Sequence, residues 1–378
     1  MTKVLPLISI GIPTYNRAHM LRKCLNSVLQ QSYGNIEVII SDNLSSDTTP
    51  EVCQEFMLQD NRLRTYRQTK NINAVPNFDY VRQKAKGAYF MLLGDDDWID
   101  PNLIESCVDF LEENPDYIAA SGETYYYREN NIQFKGVSLS VQSNDPAERL
   151  LNTISEVVDA GTLHGMFRAE TANATPYLNV WGMDYHFLCE AAFRGKIKTL
   201  ADVACHRIDN SHRTSIKDVL YSEGIYDGQE LDPYGTIASV LFWRILADGD
   251  IFKQLLDSER LRLAMAVVQI IEQRWLITRK VNLLDIAAKL FTNQNLLAEY
   301  RILRIRVMSE WLNAFEMNES TQWNFVRQIL DTFIQLGISV PDANQEERDL
   351  LTRIIDASLN IKNLDLKSDA NRIGSLFD

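Results

Sequence analysis

Ala88-Tyr89-Phe90-Met91-Leu92-Leu93-Gly94-Asp95-Asp96-Asp97 is the stretch on which the reading of this chain turns. An unbroken apolar run of this length, bounded by glycine, reads as a strand buried on both faces. Three carboxylates directly behind it are unfavourable on their own. Like charges raise one another's pKa and repel unless a cation sits among them. Carboxylate oxygens suit Mg²⁺ or Mn²⁺, and Mg²⁺ typically takes one or two of them and completes its shell with phosphate oxygens and water. The triplet therefore reads as a metal–diphosphate site at the carboxyl end of a strand, where open α/β sheets bind ligands. The plainer alternative is a solvated acidic turn before a helix. Asp100-Pro101 has the form of a helix start, with Asp as N-cap and Pro at the first helical position.

Outward from this point, strands and helices alternate. Leu5–Ile12 is predicted as a strand ending at Pro13-Thr14, and Ala18–Gln31 as a helix with Leu21, Cys24, Leu25 and Val28 on one face. Ile36–Ser41 is a second strand, Thr48–Gln59 a helix, Leu63–Arg67 a short strand and Asn77–Lys86 a helix stopped by Gly87. After the triplet come a helix over Ile104–Glu113 and a strand over Ile118–Ser121. Such alternation implies right-handed crossovers and a largely parallel, helix-covered sheet. Polar loops at three strand ends, 13–17, 41–46 and 94–97, would meet in one crevice. No G-x-G-x-x-G or G-x-x-x-x-G-K-[ST] follows any of these strands, so dinucleotide-binding and P-loop chemistry are set aside.

The next part is less regular. Residues 125–144 read as strand and loop, Pro146–Val158 as amphipathic, Gly161–Arg168 as a strand in or beside the site and Asp184–Arg194 as a helix, after which Ile197–Asp202 leads to His206-Arg207. From about Lys217 the pattern turns helical, over Ile237–Ile245, Leu261–Ile277, Leu283–Leu290, Glu299–Phe315 and Asn324–Ile334. The expected division is a first domain over 1–215 and a mainly α-helical region over 216–378.

The 378 residues carry a net charge of −13, which argues against nucleic acid as a partner while leaving a phosphate ligand open, since a metal or a helix N-terminus can supply local positive charge. Five scattered cysteines without a C-x-x-C pair suit a reducing compartment and small core positions. Met1 to Pro6 shows no signal-peptide pattern, and no stretch is long and apolar enough for a membrane span. The expected location is the cytoplasm, with the inner face of the membrane as a variant.

Three groups of residues occur in a fixed order: Pro13-Thr14-Tyr15-Asn16-Arg17, Ser41-Asp42-Asn43, and Asn77…Ala85-Lys86-Gly87-Ala88-Tyr89-Phe90…Gly94-Asp95-Asp96-Asp97. Together they resemble the family 2 glycosyltransferases, the inverting enzymes of GT-A fold. The resemblance covers Leu5 to about Ser215. It implies an α/β fold with a Rossmann-like mixed sheet flanked by helices, here followed by the α-helical C-terminal region. It also implies a nucleoside-diphosphate sugar donor, with UDP favoured, a Mn²⁺ or Mg²⁺ cofactor, and a saccharide or lipid-linked acceptor in glycan or polysaccharide biosynthesis. Carried over residue by residue, Pro13, Thr14 and Tyr15 would line the nucleoside with Arg17 nearby. Asp42 would accept from the base edge, and Lys70, Asn71 and Asn77 would lie on the donor loop. Asp97 would bind the metal, with Asp95 or Asp96 toward ribose and sugar and Asp95 a second metal candidate.

The chemistry asks independently for the same parts. A departing diphosphate gains charge that a carboxylate-held cation neutralises, and the acceptor hydroxyl needs a base across the sugar from it. Asp184, behind Trp181-Gly182-Met183, is the candidate base, with helix capping as its plain alternative and Met183 in place of the family's usual neighbouring acid. Trp181 is a candidate for stacking on an acceptor sugar. His206-Arg207-Ile208-Asp209-Asn210-Ser211-His212 resembles the family's late loop, where an Arg and a His approach the diphosphate or metal. Here Asp209 stands two places after Arg207, which leaves His206 and His212 as metal-ligand candidates. The competing readings are a nucleotidyltransferase, disfavoured by the absence of glycine in 13–17, and a non-catalytic GT-A-like scaffold binding nucleotide or glycan. For the helical C-terminal region, a homodimer surface and a peripheral membrane contact both stay open.

Overall fold

The computed structural model describes residues 5–129, 131–157, 159, 161–209, 219–220 and 233–275. The chain divides into two compact units, Met1–Ile237 and Ala238–Asp378. The boundary expected at 215/216 falls outside the described residues, as do the helices expected over 283–290, 299–315 and 324–334. Beyond residue 209, helices run over Pro233–Trp243 and Asp257–Arg274, where helical spacing places them.

The first unit is built on one sheet of nine strands. β1 (Ile8–Thr14), β2 (Ile36–Asp42), β3 (Leu63–Arg67) and β4 (Tyr89–Leu92) form a parallel set in the spatial order β3-β2-β1-β4. The chain switches direction across the sheet between β1 and β4, and such a point opens a ligand crevice at the strands' carboxyl ends. The remaining strands are β5 (Trp98–Ile99), β6 (Tyr117–Arg128), β7 (Asn131–Lys135), β8 (Met166–Arg168) and β9 (Lys196–Ile208). β8 lies antiparallel between β4 and β6, β9 runs parallel to β6, and β5 and β7 pair antiparallel with β9 and β6. The sheet is therefore mixed beyond β4. The stretch 161–168, read as one strand, is a tight 3₁₀ turn at Gly161–His164 followed by only three strand residues, and the turn brings β8 in reversed.

Helices cover both faces. Ile8, Ile10, Ile12, Tyr89 and Met91 point into a core shared with α1 (Ala18–Leu29), α2 (Thr49–Gln59) and α4 (Leu103–Glu113). Phe90 and Leu92 point the other way, toward Val81 of α3 (Ala74–Lys84) and Phe187 and Leu188 of α7 (Met183–Arg194). The apolar run is thus split by the two-residue period of a strand into two cores, as burial on both faces requires. Helices α5 (Pro146–Glu156) and α6 (Ala169–Ala174) complete the unit. All five cysteines are free and buried. No described helix is long and apolar enough to cross a membrane.

The approach to β4 is fixed by a polar knot. Ser9 Oγ donates to Glu37 Oε1 at 2.6 Å, and the backbone N–H groups of Lys86 and Gly87 donate to Glu37 Oε1 and Ser9 Oγ at 2.7 and 2.8 Å. A Cβ on Gly87 would lie 2.6 Å from the carbonyl oxygen of Leu7 and 2.7 Å from the nitrogen of Ser9. Both atoms are backbone and cannot step aside. Gly87→Ala is expected to cost about 2 kcal/mol, lowering the melting temperature by roughly 4–8 °C in a thermal scan. An unchanged melting temperature would show that the backbone at this entry yields.

Candidate active site

Loops after β1, β2 and β4 converge as the sequence implies. Thr14 ends β1 and donates from Oγ1 to Asp95 Oδ2 at 2.6 Å. Arg17, half exposed, donates from Nη1 to Asp96 Oδ2 at 2.6 Å. Asp97 is 2% exposed, and its Oδ2 faces Arg207 Nε at 3.3 Å. A Cβ at Gly94 would sit 2.7 Å from this same oxygen, so the glycine makes room for the carboxylate to fold back over the turn. The loop after β1 is stitched to the loop after β2. Asn16, in the left-handed region at φ 53°, accepts the Ser46 N–H at 2.8 Å and donates its own N–H to Ser45 Oγ at 2.9 Å.

The electrostatics follow from this crowding. Burial and the neighbouring Asp96 push the Asp95 carboxyl up to about 7. Burial raises Asp97 too, against the pull of Arg207. Burial works against the Arg207 charge, but Asp97 outweighs it and raises its pKa. His164 is pushed down to about 3 by burial and by Arg207, so it is neutral; its Nδ1 donates to the carbonyl of Leu92 at 3.0 Å.

Asp42 ends β2 at 3% exposure. Its Oδ1 accepts the Ser45 N–H at 2.8 Å, while the buried Oδ2 has no hydrogen bond and faces Arg67 Nε at 3.5 Å. Pro13 is buried beneath the crevice, and Tyr15 is 46% exposed beside it. Lys70 and Asn71 are exposed, and their loop is tied down by Asn43, which donates to Asn71 Oδ1 at 3.0 Å and accepts the Ile72 N–H at 2.8 Å.

Asp184 is the second residue of α7. Burial pushes its carboxyl up to about 6, against hydrogen bonds from the helix's first N–H groups and the attraction of Arg207. Arg207 thus acts on both Asp97 and Asp184. The N-cap position of α7 is Gly182, at φ 75°, and the Asp184 carboxylate accepts from the first N–H groups of the helix.

Several expectations need correction. Asn77 is buried, and its amide is spent on Ser41: Oδ1 accepts from the hydroxyl at 2.6 Å and Nδ2 donates to the carbonyl at 3.0 Å. It shapes the end of β2 and does not face the crevice. His206 lies on a strand, not a loop. Its Nε2 bonds Asp100 Oδ1 at 2.8 Å and its Nδ1 bonds the Tyr127 hydroxyl at 3.2 Å, so neither nitrogen is free for a metal. Asp100 is not an N-cap, since α4 begins at Leu103 behind Asn102. Its carboxylate instead accepts the Ala204 N–H at 2.9 Å and fixes β9. Asp209 pairs with Arg128 at 2.6 Å. His212 lies outside the described residues. His164 stands 4.0 Å from Asp97 Oδ2.

The donor set fits a hard divalent cation in one respect: three crowded carboxylates include one whose ionised form is strongly disfavoured without a counter-charge. No three His, Cys, Asp or Glu side chains converge at ligand spacing among the described residues. The protein would therefore supply one or two oxygens, and a bound diphosphate and water the rest.

Residues 9–170 match the family described as Glycosyl transferase family 2. The chain is 35% identical over 128 residues to glycosyltransferase GlyG of Streptococcus pneumoniae, covering 34% of this chain and 42% of that protein. It is 28% identical over 221 residues to chondroitin synthase of Escherichia coli, covering 57% of this chain and 31% of that protein. The chain thus spans less than half the length of these relatives. Among solved structures, S. aureus TarS 1–349 in complex with UDP-GlcNAc superposes with a TM-score of 0.53 at 14% identity, covering 93% of this chain and 91% of that one. The mixed sheet flanked by helices is the GT-A fold. Over residues 9–170 the chain is similar to glycosyl transferase family 2.

The raised Asp95 carboxyl has a consequence for stability. A folded-state value near 7 against an unfolded value near 4 means the fold holds this proton more tightly, so the associated stability is present at low pH and lost as pH rises from about 4 to 7. Asp95→Asn, measured at pH 8 without divalent ions, should raise the melting temperature by a few degrees, and the gain should vanish near pH 4. A lower melting temperature at pH 8 would contradict the electrostatic assignment.

Proposed function

We propose that the chain is an inverting, metal-dependent glycosyltransferase. It would move a sugar from a nucleoside-diphosphate sugar to a hydroxyl of a saccharide or lipid-linked acceptor in polysaccharide biosynthesis. The observation that carries this is the buried carboxylate Asp97, paired with Arg207 behind the aspartate-rich end of β4 at the sheet's switch point. Asp42 supports a UDP donor. Its buried Oδ2 makes no hydrogen bond beyond the 3.5 Å ion pair with Arg67, and an acceptor in that state suits the N3–H of uracil better than the N3 acceptor of cytosine. The relatives named as glycosyltransferase and synthase, and the fold neighbour held with UDP-GlcNAc, point the same way.

In this reading Tyr15 and Asp42 bind the nucleoside, and Thr14 holds Asp95 in place. Arg17 and Arg207 face the diphosphate. A divalent ion bound by Asp97, with Asp95 as second carboxylate, would supply charge neutralisation for the leaving diphosphate. Asp184 takes the proton from the acceptor hydroxyl as its oxygen bonds to the anomeric carbon. The bond to the diphosphate breaks on the opposite face, which inverts the configuration. A base near 6 is ionised at neutral pH yet retains useful basicity.

The kcat/KM of sugar transfer should fall about tenfold per unit as pH drops below about 6 and level off above it. Asp184→Asn should lose roughly 10²–10⁴-fold in kcat with nucleotide affinity kept. Turnover that persists unchanged in Asp184→Asn removes this residue from the mechanism.

A further inference from the structure

We propose that Phe134, on the β6–β7 hairpin, is the stacking platform for a ring of the carbohydrate acceptor and so a determinant of acceptor specificity; the proposal rests on the glycosyltransferase reading above. β7 is exposed at all five residues and, among the described residues, pairs only with β6. Phe134 is 46% exposed, and with Ile132 at 56% and Val137 at 43% it gives the hairpin region three exposed apolar side chains close in sequence. It is not loose: its inner face stacks on Tyr126 with centroids 4.5 Å apart and planes 17° from parallel. Tyr126 is nearly buried, and its hydroxyl accepts from Arg207 Nη1 at 3.2 Å. Arg207 Nε in turn faces Asp97 Oδ2. A continuous line of contacts, Asp97–Arg207–Tyr126–Phe134, therefore runs from the carboxylate cluster to a rigid aromatic face open to water.

The hairpin is also braced on the side of the candidate base. Asp159 accepts the Val137 N–H at 2.9 Å through Oδ2 and the Gly161 N–H at 2.9 Å through Oδ1, which locks the end of β7 to the 3₁₀ turn carrying His164. Asp159 lies close enough to Asp184 to act on its carboxyl. A side chain at Gly136 would meet Asp159 Oδ2 at 2.8 Å and the Tyr126 ring at 3.1 Å, so the strand passes flush against both. An acceptor presenting its hydroxyl to Asp184 would extend toward this hairpin. Phe134 offers it what the C–H face of a pyranose needs: a flat, preorganised, apolar surface without polar groups of its own to desolvate.

The test uses the full chain. Phe134→Ala should leave donor-only turnover, UDP released from UDP-GlcNAc or UDP-glucose with water as acceptor, within twofold of wild type. It should raise KM at least tenfold for a saccharide acceptor, and Phe134→Trp should restore it. Because the ring is already half exposed, neither change removes core packing. Phe134→Trp also reports binding directly. Its emission, taken as the difference from wild type, should shift on titration with free disaccharides: a β-1,4-linked N-acetylglucosamine pair, a galactosyl-glucose pair and a uronate-containing pair. A KM unaffected by Phe134→Ala, or an emission shift on anionic phospholipid vesicles with none for any sugar, overturns the platform. Absence of UDP release in wild type fails the enzyme reading instead, while the emission of the Phe134→Trp variant still decides the sugar contact.

Discussion

The contact between Arg207 and Asp97 is the constraint on which the site depends. A carboxylate at 2% exposure is untenable without a partner, and breaking such a pair by removing one side is strongly destabilising because a charge is left buried. Arg207 reaches Asp97 because β9 continues past the core into the crevice, where it pairs with Tyr125–Tyr127 of β6 on one side and Trp98–Ile99 of β5 on the other. Asp100 and His206 pin this extension from its other face, and the ring of His206 stacks on Trp98 at 5.3 Å. The same guanidinium bonds Tyr126, and its charge also favours the ionised form of Asp184.

The parallel half of the sheet was legible because its residues obey a simple rule. β1, β2 and β4 are buried on both faces, so their composition is largely apolar and their ends are marked by abrupt polar loops. Those loops carried Thr14, Arg17, Asp42 and the aspartate triplet, and the structure brings all of them to one crevice. The helix over 184–194 was likewise legible behind Gly182, whose left-handed backbone starts α7.

What stayed hidden lies where strands line a site instead of a core. β9 runs on through Ala201 and Asp202, exposed at a register shift, into His206-Arg207, which looked like loop chemistry. β6 was read as four residues, because Tyr125–Tyr127 alternate between the crevice and solvent without an apolar pattern. Asn77 and His206 carried the residue types of ligand contacts and proved to be internal hydrogen-bonding groups. Glu37 appeared to be one residue of a β-branched run and is a buried acceptor that fixes the entry to β4. In each case the deciding fact was a partner distant in sequence, which spacing along one element does not reveal.

The central claim is that the carboxylates at the end of β4 and Asp42 at the end of β2 form one nucleoside-diphosphate site. Its most direct test is calorimetric titration of UDP, dTDP, GDP and CDP into the full chain with Mn²⁺ and again with EDTA, repeated on Asp97→Asn. The account predicts Mn²⁺-dependent binding of UDP, no binding of CDP, and loss of the metal dependence in Asp97→Asn. Equal binding of all four, or UDP affinity indifferent to both EDTA and Asp97→Asn, would contradict it.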